Sequence, residues 1–292
     1  MFQRTSIGTK IWLYFVYLYI LVVVLLMTLP FVNIIAVSFS SNSAILRGSV
    51  KFLPVDFTMV TYLRVFKETQ ILLGLKNTIF VTLIGTLLNL VMTLLAAYPL
   101  SKPWLKGRGV ILTLITITMV FGAGMIPNYM LVSRLGLLNS FWALWLPGAM
   151  STFNMIIMKS FIQSIPESLD EAAQIDGASG FRILLQIIIP LSLPSIATIA
   201  LFYAVGWWNS YFNNLLYINS SALTTLQIQL RDMLNMRNNQ IFQTFDVDES
   251  MYVAEESVKA VSIVIATVPI LAVYPFLQKY FVKGVMVGSI KG

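Results

Sequence analysis

An all-α, polytopic membrane fold of about six transmembrane helices is predicted from three observations. Apolar residues make up 58% of the 292 residues and charged residues only 11%, against roughly 25% charged in ordinary soluble domains. The apolar residues fall into long uncharged runs, each near the roughly 20 residues a helix needs to cross about 30 Å of hydrocarbon. The 19 Lys and Arg stand singly between those runs. A net charge of +7 distributed in this way reads as cationic flanks of membrane spans, not as a nucleic-acid surface.

The runs can be taken in order. The first covers residues 11–37 and is interrupted by Pro30. It is too long for a signal-peptide core of about 7–15 residues, and no small-x-small cleavage site follows it, so it reads as a retained helix. The second covers 77–100, the third 110–131 and the fourth 138–158. No charge occurs between Ile183 and Leu230, but Pro190 and Pro194 break that stretch, which sets a fifth helix at 194–217. The sixth covers 260–278 and leaves a tail at 279–292. Residues 1–292 together read as a single transmembrane domain.

Six spans put both ends on one side. Ten basic residues then flank that side and nine the other, so the raw count barely discriminates. Density favours a cytoplasmic location for the termini, because the short loop from Ser101 to Gly109 holds Lys102, Lys106 and Arg108 and no acid. Segments 41–76 and 218–259 would face the exterior. The second carries Asp246, Asp248, Glu249, Glu255 and Glu256, and reads either as a solvated loop or as a docking surface for an extracellular partner.

Several function classes are excluded or disfavoured. The chain has no Cys and no His, which removes disulfides, thiolate nucleophiles and His relays. No nucleophile–base pair or metal cluster suits a membrane enzyme. No phosphate loop of the form G-x-x-x-x-G-K-[ST] occurs, so the chain does not hydrolyse ATP itself. An ion-coupled secondary transporter is the main alternative, but such proteins place ionisable groups within the membrane and none of the six runs contains one. An ion site of backbone carbonyls stays open to that alternative.

The loop 163–190 is unlike the others. Ser164 with Glu167 forms a capping-box pattern, Pro166 suits a first turn, Asp170 favours the helix dipole and Gly177 supplies a left-handed stop. A short helix is therefore expected from Ile165 to Ile175, with Ile165, Leu169, Ala172 and Ala173 on one face and Glu167, Asp170, Glu171 and Gln174 toward the other. A second short helix is expected from Gly180 to Pro190. A ten-residue helix is marginal alone. It either docks on a soluble protein or lies on the membrane surface.

The residues of this loop carry a resemblance. Glu171-Ala172-Ala173, three residues, Gly177, nine residues, Ile187, one residue and Ile189-Pro190 resemble the EAA signature of bacterial ABC importer permeases, although Ile189 stands where that family usually has Leu. Asp176-Gly177-Ala178, Trp207-Trp208-Asn209 and the tail from Gln278 through Gly284 to Lys291-Gly292 resemble the carbohydrate-uptake branch, of MalG type. The resemblance covers nearly the whole chain. It implies a MalG/MetI-like permease fold in a bacterial cytoplasmic membrane, importing an oligosaccharide by alternating access. It further implies a second permease subunit of different sequence, two cytoplasmic ATPase subunits that bind ATP and Mg, an extracellular solute-binding protein, and no cofactor on this chain.

By the same resemblance, Glu171, Ala172, Ala173, Asp176 and Gly177 would form the coupling helix and its bend, seated in a cleft of the ATPase. Lys283, Gly284 and Ser289 in the tail would reach between the two ATPases. For the substrate, Trp207, Trp208, Asn209, Tyr211, Asn213 and Asn214 supply aromatic faces and amides suited to sugars, or equally an interfacial aromatic belt. Asn89 and Asn154 are buried polar candidates, either for substrate or for bonds to a neighbouring helix.

Overall fold

The computed structural model describes residues 7–234 and 255–289, and every regular element among them is helical. Two compact units emerge, Met1–Ile71 with Leu230–Val268, and Leu72–Gln229 with Pro269–Gly292.

The first unit begins with α1, Ile7–Ser38, 32 residues that run through Pro30 without ending. Trp12, Phe15, Leu18 and Leu25 are exposed along it, as expected of a helix that presents apolar side chains to lipid and satisfies its own backbone. Its far end is buried at Ala36 and Ser38. There the chain folds back through α2, Asn42–Leu46, which is capped by the Ser41 hydroxyl, and α3, Val60–Glu68. The Tyr62 hydroxyl donates to Ser38 Oγ at 3.0 Å, and Phe39 stacks on both Phe57 and Tyr62. The Thr61 and Ser257 hydroxyls lie 2.7 Å apart, which ties α3 to the start of the last helix, α15, Glu255–Ser289.

The second unit is built on α4, Ile71–Ser101. It starts six residues before the expected Asn77 and carries Lys76 exposed near its start, where a long side chain can reach the membrane interface. After it come α5, Arg108–Val120, α6, Met125–Arg134, α7, Trp142–Trp145, and α8, Thr152–Ile162. The loop 163–190 forms α9, Glu167–Ile175, and α10, Gly180–Ile183, and passes through a π turn, Leu184–Ile188, into α11, Ile189–Leu191. The π turn lies directly ahead of Pro190, which lacks a backbone donor, and such widened turns absorb that loss. The unit continues with α12, Leu193–Trp208, and α13, Phe212–Tyr217, and a 3₁₀ turn, Ser221–Leu223, leads into α14, Leu226–Leu234. Its core is packed from Leu144, Trp145, Met155, Met158, Ile188 and Ile199.

Among the described residues three helices, α1, α4 and the Glu255–Val273 part of α15, are long and apolar enough to cross a membrane unaided. The expected third run instead bends by 111° between α5 and α6, and α12 is set at 84° to the segment before it. The expected fourth run is split between α7 and α8 at Pro147-Gly148, and the fifth helix ends at Trp208 before α13 begins. One physical reason covers these differences. A charge-free run shows that no ion enters hydrocarbon, but not that a single helix fills it. Ser192, at the break between α11 and α12, is buried in protein, where broken backbone is tolerated, whereas residues 121–124 between α5 and α6 are exposed. The last helix also departs from 260–278. It begins at Glu255, where Glu255 and Glu256 suit the positive end of the helix, and it continues into the tail as far as Ser289.

Candidate functional site

The loop 163–190 owes its shape to local chemistry. The expected capping box is not formed. Ser164 Oγ donates instead to the Phe161 carbonyl at 2.6 Å, closing the end of α8, and α9 begins at Glu167 after Pro166 with no side-chain cap. The C-terminal stop is formed. Gly177 has φ +77°, its N–H reaches the Gln174 carbonyl at 3.0 Å, and the Ala178 N–H reaches the Ala173 carbonyl at 2.9 Å. This pair of bonds closes the helix in a Schellman motif. Ser179 then caps α10 by accepting from the Arg182 N–H at 3.4 Å.

The faces of α9 differ from the expected division. Asp170 turns inward and is 6% exposed, and Ala173 is half-buried. Glu171 and Ala172 are exposed, as are Leu169 at 42% and Ile175 at 86%. The inward acid is explained by its partner. Asp170 forms an ion pair with Lys102, just past the end of α4, and each side chain is 8% exposed. Burial pushes the Lys102 ammonium below the ordinary lysine value, and the Glu167 carboxylate opposes that shift. Gln163 Nε2 donates to the neighbouring Ser101 carbonyl at 3.3 Å. Asp176 is exposed at the end of α9. Periodicity alone put Asp170 with the outward acids; the signal that finds it is Lys102, the first cation after the uncharged run that begins at Asn77.

The second constellation lies where α4, α8 and α12 meet. Trp207 Nε1 donates to Asn89 Oδ1 at 2.6 Å, and Asn89 Nδ2 donates to the Gly148 carbonyl. The Tyr203 hydroxyl lies 2.7 Å from Thr93 Oγ1 and accepts the Ser151 N–H at 3.0 Å. Of the proposed substrate residues, Trp207 and Asn89 thus bond to each other and are buried. Trp208 is also buried, and its Nε1 has no hydrogen-bond partner among the described residues. Asn209 and Asn213 are exposed, Asn209 Nδ2 donating to the Val205 carbonyl at 2.9 Å. Tyr211 is half-buried beside α13. Asn214 is buried and donates from Nδ2 to the Ser210 carbonyl at 2.7 Å. Asn154 is buried in the first turn of α8, so it is not brought against Trp208 by any bond described. Thr93 and Tyr203, polar groups in apolar runs, were missed in the sequence although polar side chains commonly join membrane helices.

At the other end of α4, Asn77 Nδ2 donates to the Ala222 and Thr224 carbonyls at 2.9 and 3.0 Å. Thr78 Oγ1 accepts the Leu226 N–H at 2.8 Å. Asn139, with φ +58°, accepts the Asn219 and Ser220 N–H groups at 2.6 and 3.1 Å. Segment 218–226 is thereby pinned to the rest of the unit. Lys283, Gly284 and Ser289 lie on the last turns of α15, where only the backbone is described. Asp246, Asp248, Glu249 and residues 290–292 lie outside the described residues.

Comparison with known proteins agrees with this architecture. The family model "Binding-protein-dependent transport system inner membrane component" matches residues 95–287. Protein LplC of Bacillus subtilis is 46% identical over 264 residues, covering 90% of this chain and 89% of LplC. The polygalacturonan/rhamnogalacturonan transport system permease protein YtcP of the same organism is 41% identical over 277 residues, covering 95% and 97%. A chain in the crystal structure of a bacterial ABC transporter involved in the import of the acidic polysaccharide alginate superposes with a TM-score of 0.87 at 33% identity, covering 96% of this chain and all of that one. The three-helix and bent-pair spans, the helical loop 163–190 and these matches have one explanation: the chain is a membrane-spanning transport subunit and belongs to the family of binding-protein-dependent transport system inner membrane components.

Proposed function

We propose that α9 is the helix through which ATP hydrolysis on partner subunits drives transport by this chain. The observation that carries this reading is the split character of α9. One face is fixed inward by Asp170 and Ala173, while Leu169, Ala172 and Ile175 form an exposed apolar stripe beside Glu171. A short helix with such a stripe is completed by a protein surface. That surface belongs to one of two cytoplasmic ATPases that hold ATP and Mg, with Glu171 meeting a basic residue and Asp176-Gly177 forming the bend into α10. The tail at Lys283, Gly284 and Ser289 extends toward the same ATPases. A second permease of different sequence completes the pathway, an extracellular solute-binding protein delivers the solute, and both termini are cytoplasmic. Residues 1–292 serve as one permease domain.

The solute in this reading is an oligosaccharide. Support comes from the relative named for polygalacturonan and rhamnogalacturonan transport and from the alginate transporter. Trp208 is the leading candidate contact, since a buried indole N–H without an acceptor demands an explanation. Asn209, Tyr211 and Asn213 follow it on the chain, and Trp207, bonded to Asn89, and Asn154 are further candidates. The test uses the complete transporter in vesicles. Glu171→Lys leaves the chain inserted, weakens its association with the ATPase and abolishes solute-stimulated ATP turnover; normal uptake and turnover would sink the reading. Trp208→Ala changes uptake with assembly intact, and unchanged uptake across candidate oligosaccharides removes Trp208.

A further inference from the structure

We infer that the Lys102–Asp170 ion pair is a positioning link that carries movement of α9 into the spanning helix α4. This rests on the reading of α9 as the helix driven by the ATPase. Movement of α9 reaches α8 and α10 directly, because Pro166 and Gly177 join them in the chain. It has no such route to α4, which ended long before in sequence. The pair supplies one. Lys102 follows Ser101, the last residue of α4, and Asp170 sits in the middle of α9.

Three features make this contact stiffer than a surface ion pair. Both side chains are 8% exposed, so water screens the charges little. The second carboxylate oxygen, Asp170 Oδ1, is buried without a hydrogen-bond partner among the described residues, so Lys102 is what compensates the charge there. The Lys102 ammonium also lies 5.0 Å over the Tyr98 ring, one turn back on α4, which holds the lysine to its own helix. The adjacent Gln163–Ser101 bond fastens the end of α8 to the same point. Pulling α9 outward therefore strains a buried charge pair unless the end of α4 follows. Gly177, whose added Cβ would meet nothing within 4 Å, stands in open space where the loop can turn.

A static staple would make the same contact, and the experiment separates the two roles. Complete transporter is reconstituted with its ATPases and binding protein, and assembly, basal ATP turnover, stimulated turnover and uptake are read for Asp170→Asn, Lys102→Arg and the exchange Lys102→Asp with Asp170→Lys. A positioning link predicts that Asp170→Asn keeps assembly and basal turnover while uptake per ATP falls by about tenfold or more, since a buried cation loses its partner. Lys102→Arg, which keeps the charge, retains more uptake than Asp170→Asn, and the exchange recovers uptake above that of Asp170→Asn. Uptake per ATP unchanged in Asp170→Asn overturns the proposal. So does a loss of uptake that merely follows a loss of assembled complex. If Glu171→Lys leaves association and stimulation intact, the reading of α9 fails first, and this link fails with it.

Discussion

At the residue scale, the clearest constraint is the meeting of Gly85 and Trp207. A Cβ built on Gly85 would stand 2.6 Å from Trp207 Cε2 and 2.7 Å from Nε1. The indole cannot retreat, because Nε1 is held by Asn89 and its far edge lies against Gly148. Gly85→Ala is therefore expected to lower stability by about 1–3 kcal/mol, the cost of overpacking a tight core, seen as a lower thermal midpoint in detergent. Gly177→Ala meets no atom and carries only the left-handed strain of about 1–2 kcal/mol, so its midpoint should fall by strain alone. An unchanged midpoint for Gly85→Ala would show that the indole shifts freely. In the sequence, Trp207 read equally as sugar contact or aromatic belt, because residue type does not reveal which polar atom is already bonded. Its glycine neighbour lies over a hundred residues away, beyond any local pattern.

At the scale of elements, the sequence was legible wherever a rule is local. Gly177 predicted the end of α9, and the apolar runs located α1 and α4 to within a few residues. Breaks inside charge-free runs, and the inward turn of Asp170, were not legible because tertiary partners decide them. The pinning of segment 218–226 is another such case, and it makes a prediction. Asn77 alone holds two carbonyls of that segment through its side-chain amide. Asn77→Ala leaves them without those donors at a cost of about 1–3 kcal/mol. Hydrogen exchange at the amides of Ala222 through Leu226 should then quicken while that of α12 stays unchanged. Equal exchange in native and variant protein would show that the Thr78–Leu226 bond suffices.

At the scale of the whole molecule, orientation decides whether the proposed ATPase face of α9 is on the side where ATP is. Charge gives a weak answer, ten basic residues against nine, because long loops dilute a rule that acts within short ones. The short loop after α4 is the informative place: Lys102 is consumed by Asp170, but Lys106 and Arg108 remain beside it with no acid between Ser101 and Gly109. The Cys-free chain permits a direct test. Leu53 and Trp104 precede and follow α4 and are 77% and 66% exposed, so single cysteines at these positions report opposite ends of one span. In intact cells, a membrane-impermeant maleimide should label Leu53→Cys at once and Trp104→Cys only after permeabilisation. The reverse pattern would place α9 outside the cell, away from any ATP, and would remove the driving partner from the proposal while leaving the family assignment intact.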